Sequence, residues 1–246
     1  MAIVLYSAMT AAEFRQNPAP AFPIAWMACH FSPYGTGLSN LPEALPKGSM
    51  LILNDRTPVF GHDPQRVAEQ LEERATQLEC DGILLDFQRP AHPQVQAIAA
   101  AVAALPYPVG ITPAYAQGLE CAVFLPPPPL TVPLASYLQP WQGQKIWLEA
   151  ATERSCVRVD KRGSRAIDRT DTACPYPHVD DMLHCRYGME LGTEYIDFFL
   201  YRDETQLKAL MQEGAGLGIQ RFVGLYQQLG ASFSQPAQQP TARFQP

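Results

Sequence analysis

Residues 80–88 read Cys-Asp-Gly-Ile-Leu-Leu-Asp-Phe-Gln, an apolar run that ends in a carboxylate and, two residues later, an amide. A short apolar run bounded by polar residues is typical of a parallel strand buried on both faces, which we place at 82–86. Amphipathic helices are predicted on both sides of it, one from Pro64 after the capping residue Asp63 and one from Pro93. Alternating helices and strands of this kind are typical of folds built on a parallel sheet.

Seven further apolar runs have the same character, and each is predicted to be a strand. They lie at 2–6, 24–29, 49–53, 108–112, 121–125, 145–149 and 221–226. A third helix is predicted after Asp203, whereas residues 155–200 alternate polar and apolar side chains and include a hairpin that turns at Gly163. The fold class predicted is therefore α/β, a (β/α)₈ TIM barrel with reduced helices and a β-rich insertion between its seventh and eighth strands.

The predicted organisation is a single barrel domain over residues 1–232, with the insertion at about 155–200. A chain of 246 residues suits this arrangement, because barrels of this class commonly run to roughly 250 residues. Residues 233–246 are polar and rich in proline, and we expect them to be a disordered tail.

Composition and charge disfavour several classes of partner. A net charge of −6 predicts no nucleic-acid partner, since such partners select basic surfaces. No apolar run approaches the roughly 18 residues that cross a bilayer, so no membrane partner is predicted. Residues 1–6 lack the features of a secretory signal, which makes a cytoplasmic location the expectation. The six cysteines form no C-x-x-C pair and are expected to be free thiols.

Polar side chains cluster where the predicted strands end, and the carboxyl ends of barrel strands are where active sites of this fold lie. The candidates are Tyr6, His30, Asn54, Asp55, Arg56, Asp86, Gln88, Arg89, Tyr115, Glu149, Tyr226 and Gln227. A purely structural role stays open for each of them, for example an Asp55–Arg56 or an Asp86–Arg89 ion pair. Their concentration at one rim favours a functional site.

Residues 80–88 resemble the fourth strand of the chitinase-like glycoside hydrolases of family 18, which carries the pattern D-G-x-D-x-D-x-E. The resemblance extends along nearly the whole chain. Tyr6 matches the aromatic residue that ends the family's first strand, and the family's last helix and strand are matched by residues 201–203, 206–208, 216–218 and 222–226. The resemblance implies a barrel that binds an oligosaccharide or other glycan.

The chain departs from the family pattern at its centre. Gln88 stands where the family has its catalytic glutamate, and Leu84 replaces one of the aspartates, whereas Asp81 and Asp86 are kept. The family's sixth strand carries a tyrosine and an aspartate near its end, and residues 123–127 contain neither. These departures put hydrolysis by the family's route in doubt.

The family's chemistry explains why the glutamine matters. The resemblance implies that Asp86 would orient the sugar's N-acetyl group and that the residue two positions later would protonate the leaving oxygen. Strand alternation places positions 86 and 88 on one face, but a glutamine amide has no proton to give. We predict a glycan-binding site with Asp86, Gln88 and Glu149 at the catalytic positions and the other nine candidates binding substrate. Tyr226 would replace the family's tryptophan as a stacking surface.

Two other functions remain open from the residues alone. The first is an active glycosidase whose acid has moved to Glu149, Asp55 or His30. The second is a metal-dependent barrel hydrolase in which His30, Asp55, Asp86 and Glu149 bind a divalent ion. The favoured function requires no cofactor and no metal. The sequence carries no signal for the identity of the sugar or for the oligomeric state.

Overall fold

A computed structural model describes residues 3–17, 22–35, 37–57, 61–169 and 176–229, so the predicted tail at 233–246 lies outside the described residues. Eight parallel strands close into a barrel, each hydrogen-bonded to its neighbours in the ring. In ring order they are β1 (Val4–Met9), β2 (Ile24–Phe31), β4 (Met50–Asn54), β5 (Gly82–Asp86), β6 (Val109–Ile111), β7 (Ala122–Leu125), β8 (Lys145–Glu149) and β14 (Arg221–Leu225). A two-residue strand, β3 (Leu38–Ser39), pairs antiparallel with β2. The predicted barrel is confirmed.

Side chains alternate between the inside of the barrel and the layer under the helices, as the pleat of a strand requires. The inner group comprises Tyr6, Ala8, Ala25, Met50, Ile52, Leu84, Ala122, Phe124, Trp147 and Val223. Trp147 fills the space beside Gly110, where any side chain would overlap the indole ring. The barrel interior is thus a packed core at its centre, and open space is left towards the strand ends.

The helices vary in length as the prolines of the sequence predict. They are α1 (Ala11–Gln16), α2 (Pro64–Gln77), α3 (Pro93–Ala103), α4 (Pro113–Ala116), α5 (Leu134–Leu138), α6 (Glu204–Gly216) and α7 (Tyr226–Leu229). The long helices α2 and α6 begin at the predicted caps, where Asp63 accepts from the Gln65 amide (2.9 Å) and Asp203 from the Gln206 amide (3.0 Å). Among the helices described, none is long and apolar enough to cross a membrane. The five cysteines in the described ranges are free thiols.

The insertion is a second, antiparallel sheet of five strands. They are β9 (Glu153–Asp160), β10 (Gly163–Ile167), β11 (His178–Asp180), β12 (Cys185–Leu191) and β13 (Tyr195–Arg202), in the spatial order β10-β9-β13-β12-β11. The hairpin between β9 and β10 turns at Gly163, as predicted, where φ is +111°. The first and last strands of the insertion are neighbours, so that Glu153 lies opposite Arg202.

Arg202 holds the insertion against the barrel. Its side chain is fully buried, and its Nη1 donates to Glu153 Oε2 and to the Pro128 carbonyl, both at 3.1 Å. Its Nε donates to the His184 carbonyl at 3.3 Å. One guanidinium therefore joins both ends of the inserted sheet to the loop that follows β7.

Candidate functional site

A cavity of about 480 Å³ opens at the carboxyl ends of the barrel strands. Its apolar wall is formed by Ala8, Met27, Ile52, Leu84, Phe124, Val223, Gly224 and Leu225. Its polar wall consists of seven of the residues expected there from the sequence, namely Asn54, Asp55, Arg56, Asp86, Gln88, Arg89 and Glu149. The strand ends bring these side chains together because the strands are parallel and their pleat directs every second side chain inward.

Asp86 and Gln88 form a hydrogen-bonded pair within the cavity. The Gln88 amide Nε2 donates to Asp86 Oδ1, so both side chains lie on the same face. Burial raises the pKa of the Asp86 carboxyl, the hydrogen bond from Gln88 acts in the opposite direction, and the negative charge of Asp55 adds to the rise. The pair thus presents one carboxylate and one amide carbonyl to a ligand.

Asp55 is a structural carboxylate of the same cavity. It is 3% exposed, and its two oxygens accept hydrogen bonds from the backbone amides of Gln88 (3.0 Å) and Arg89 (2.9 Å). The segment that carries Gln88 is therefore fixed to the end of the neighbouring strand.

Asn54 repairs an irregularity in β2. The register between β2 and β4 shifts between Trp26 and Cys29, and the Asn54 side chain donates to the carbonyls of Met27 (3.1 Å) and Cys29 (2.9 Å). Its Oδ1 accepts from the Arg56 amide at 3.2 Å. The amide thus satisfies carbonyls that the bulge would otherwise leave unpaired.

Glu149 lies half-buried at the end of β8. Burial raises the pKa of its carboxyl, and the negative charges of Asp86 and Glu153 raise it further. Burial and then the charges of Glu149 and Glu153 raise the pKa of Tyr137 to about 12. Glu149 is therefore surrounded by groups that favour its protonated form.

Glu153 and Arg202 were not anticipated as neighbours of the site. Burial raises the pKa of Glu153, and the positive charge of Arg202 opposes this rise. Two signals in the sequence could have indicated the pair: Glu153 follows Glu149 by four residues, and Arg202 directly precedes the predicted helix cap Asp203. Only the pairing of β9 with β13 brings the two together.

Five of the candidates do not line the cavity: Tyr6, His30, Tyr115, Tyr226 and Gln227. Tyr6 lies in the middle of β1, because the strand continues to Met9 rather than ending at residue 6. Its hydroxyl donates to Asp81 Oδ1 at 2.6 Å, and Arg221 Nη1 donates to the same Asp81 oxygen at 3.0 Å. This network lies at the amino-terminal ends of the strands, opposite the cavity.

The other four have partners elsewhere in the protein. His30 Nδ1 is 3.0 Å from the Ala28 carbonyl, and the fully buried Tyr115 donates to the Pro90 carbonyl at 2.9 Å. The Tyr226 hydroxyl accepts from Asn17 Nδ2 at 3.3 Å, and the Gln227 amide donates to Glu13.

The metal-dependent alternative requires at least three convergent ligands. Within the described ranges, no three His, Cys, Asp or Glu side chains form a group that could hold an ion. His30, one of the four ligands considered, lies outside the cavity wall.

Substitution of Tyr6 by phenylalanine is expected to lower the free energy of unfolding by about 1–2 kcal/mol, since it removes a hydrogen bond to a charged acceptor. Urea denaturation measures this change. The placement of Tyr6 below the cavity would be contradicted by a variant of unchanged stability that binds glycan more weakly.

Replacement of Glu149 by glutamine is expected to raise the free energy of unfolding at pH 7 relative to pH 4. A carboxyl whose pKa is higher in the folded state than in the unfolded state binds more protons when folded. Wild-type stability therefore falls as the pH rises from the unfolded pKa of about 4.3 through the folded pKa. The variant lacks this loss, which urea denaturation at the two pH values measures. Glu69→Gln, on the exposed face of α2, is the control, and an equal effect of Glu149→Gln at both pH values would contradict the prediction.

No protein-family model matches the chain, and no curated protein matches it in sequence. Solved structures do match it. They include the spore cortex-lytic enzyme SleL of Bacillus cereus (TM-score 0.56, 12% identity, 96% of this chain and 72% of that chain). A glycoside hydrolase family 18 N-acetylglucosaminidase of Paenibacillus barengoltzii also matches (TM-score 0.54, 14% identity, 92% of this chain and 95% of that chain). The chain has the chitinase-like barrel fold of glycoside hydrolase family 18, as the sequence resemblance implied.

Proposed function

We propose that the protein binds an oligosaccharide of N-acetylated sugars in the cavity at the barrel mouth, and that residue 88 does not act there as a general acid. The observation that carries this proposal is the hydrogen-bonded pair of Asp86 and Gln88 within the cavity. The pair has the spacing of the family's aspartate and glutamate. It retains the shape of that pair but lacks the proton.

The lining of the cavity suits a sugar. Phe124 and Leu225 supply apolar surface, and Asp86, Gln88 and Arg89 supply acceptors and donors at its edge. Small-molecule sites typically combine a largely apolar wall with a few fixed polar groups in about 300–1,000 Å³. Asp86 would accept a hydrogen bond from the N-acetyl group, and Gln88 would hydrogen-bond a glycosidic oxygen or a hydroxyl.

Hydrolysis through residue 88 is not expected, because a glutamine amide does not ionise in the useful pH range. General acid catalysis typically contributes about 10²–10⁴-fold to a rate. An amide at this position can hold the sugar in place but cannot supply that factor.

Calorimetric titration with N-acetylglucosamine oligomers of increasing length tests the proposal. We expect binding that strengthens with length and that Gln88→Ala weakens about fivefold or more, the value of one hydrogen bond. Gln77→Ala is the matched control, since Gln77 lies on the exposed part of α2 and bonds only Glu73. Absence of heat at every length, or equal weakening by both variants, would refute the proposal.

A further inference from the structure

Three carboxyl groups line the cavity, and they differ in their hydrogen-bond partners. Both oxygens of Asp55 are occupied by backbone amides, and Asp86 accepts from the Gln88 amide. In the described part of the chain, no group donates a hydrogen bond to the Glu149 carboxyl, and no cation pairs with it. Glu149 is thus the one carboxyl of this set that is committed to no other contact there.

The neighbours of Glu149 that could have satisfied it face elsewhere. Tyr137 donates its hydroxyl proton to the Pro126 carbonyl at 2.9 Å. Arg202 donates to Glu153, and the Arg89 guanidinium donates to the Arg56 carbonyl at 2.9 Å. The side chain therefore lines the cavity with an unbound carboxyl group beside the apolar surface of Phe124 and Leu225.

We propose that Glu149 is the proton donor of this cavity and that the protein hydrolyses the bound glycan by an acid–base route that does not use residue 88. This inference rests on the glycan binding proposed above. Asp86 is the partner base, and the hydrogen bond from Gln88 holds its carboxylate in orientation.

The reaction is a simple addition of water across the glycosidic bond. The bond between the anomeric carbon and the bridging oxygen breaks, its electron pair stays on the oxygen, and that oxygen takes the Glu149 proton. A water oxygen bonds the anomeric carbon and loses its proton to the Asp86 carboxylate. Proton exchange with solvent then restores the acid and the base, and no oxidation or co-reactant is involved.

The electrostatics of the site agree with this assignment. Burial, Asp86 and Glu153 all raise the pKa of Glu149, which keeps more of it protonated towards neutral pH. Asp55 carries a further negative charge, and the cations of the cavity wall, Arg56 and Arg89, lie at its exposed rim. Reported acid groups in other glycosidases gain their protonated form through similar burial.

The test compares wild type with Glu149→Gln, a substitution of equal shape that lacks the proton, using N-acetylglucosamine oligomers. Products are separated by chromatography and mass spectrometry, and binding is measured in parallel by calorimetry. We expect shortened products from wild type and a rate about 100-fold lower or less in Glu149→Gln, with binding retained. The fall of the wild-type rate at alkaline pH is expected to disappear from the residual activity of the variant, which loss of a merely structural contact would not cause. Glu69→Gln is the control.

The outcomes separate this inference from the proposed function. Oligomers that bind and are recovered intact from wild type would overturn the role of Glu149 and leave glycan binding in place. Cleavage that Glu149→Gln leaves unchanged would overturn it equally. Absence of binding would remove both proposals for this class of ligand.

Discussion

In a protein that already carries Glu149→Gln, the further change Gln88→Glu is expected to raise the rate of hydrolysis of N-acetylglucosamine oligomers by about 10²–10⁴-fold. Glutamine and glutamic acid have nearly the same shape. The protonated side chain of a glutamic acid can donate to Asp86 in the place of the present amide, which donates to Asp86 Oδ1. The substitution therefore adds a dissociable proton with little change in packing.

The surroundings of residue 88 favour this result. Its backbone amide is fixed by Asp55 at 3.0 Å, so the new carboxyl keeps the position of the old amide. The negative charge of Asp86 favours the protonated form of a second acid two residues away. The Glu149→Gln background matters, because it makes the new activity independent of the donor proposed above.

Release of shortened oligomers, followed by mass spectrometry, measures the gain. Gln77→Glu in the same background supplies an additional glutamate on α2 and is expected to give no activity. A Gln88→Glu protein that binds the oligomers with wild-type affinity and leaves them intact would show that residue 88 does not face the scissile bond.

Replacement of Arg202 by leucine is expected to lower the free energy of unfolding by about 3–5 kcal/mol. The substitution leaves Glu153 without its cation in a half-buried position and removes the donor to the Pro128 and His184 carbonyls. Burial lowers the pKa of Arg202 itself, and Glu153 opposes this effect, so the pair compensates charges that would each be costly alone.

Urea denaturation of wild type and Arg202→Leu measures the loss, and Arg165→Leu is the matched control. Arg165 pairs with Asp160 on the exposed hairpin, and its loss is expected to cost under about 1 kcal/mol. Equal and small losses in both variants would show that Arg202 does not hold the insertion to the barrel.

The fold could be predicted from the sequence because a strand buried on both faces requires a continuous apolar run. Each of the eight barrel strands overlaps one of the predicted runs, and the insertion is a β-sheet as predicted. The helix α1 was missed, because six residues at Ala11–Gln16 are too few for a helical period to emerge. The short helices α4 and α5 escaped for the same reason, beside prolines that discourage longer ones.

The site was predictable to the extent that it depends on strand ends. Asp86, Gln88 and Glu149 line one cavity because their strands are parallel and point the same way. Tyr6 lies elsewhere because its strand runs three residues further than the sequence indicated. The direction of the Tyr115 side chain depends on its packing against Phe87, which no local pattern reports. The pairing of Glu153 with Arg202 spans 49 residues and depends on the fold of the whole insertion.

The chain leaves the barrel and returns to it through two adjacent strands, β9 and β13, whose facing ends are Glu153 and Arg202. A segment whose two ends are neighbours can be exchanged for another of different length at little entropic cost to the host. The barrel could therefore accept a transplanted module at this junction, or a tight loop joining residues 152 and 203, without change to its ring of strands. Glu149 would keep its own strand in such a chimera while the wall beside it was redesigned.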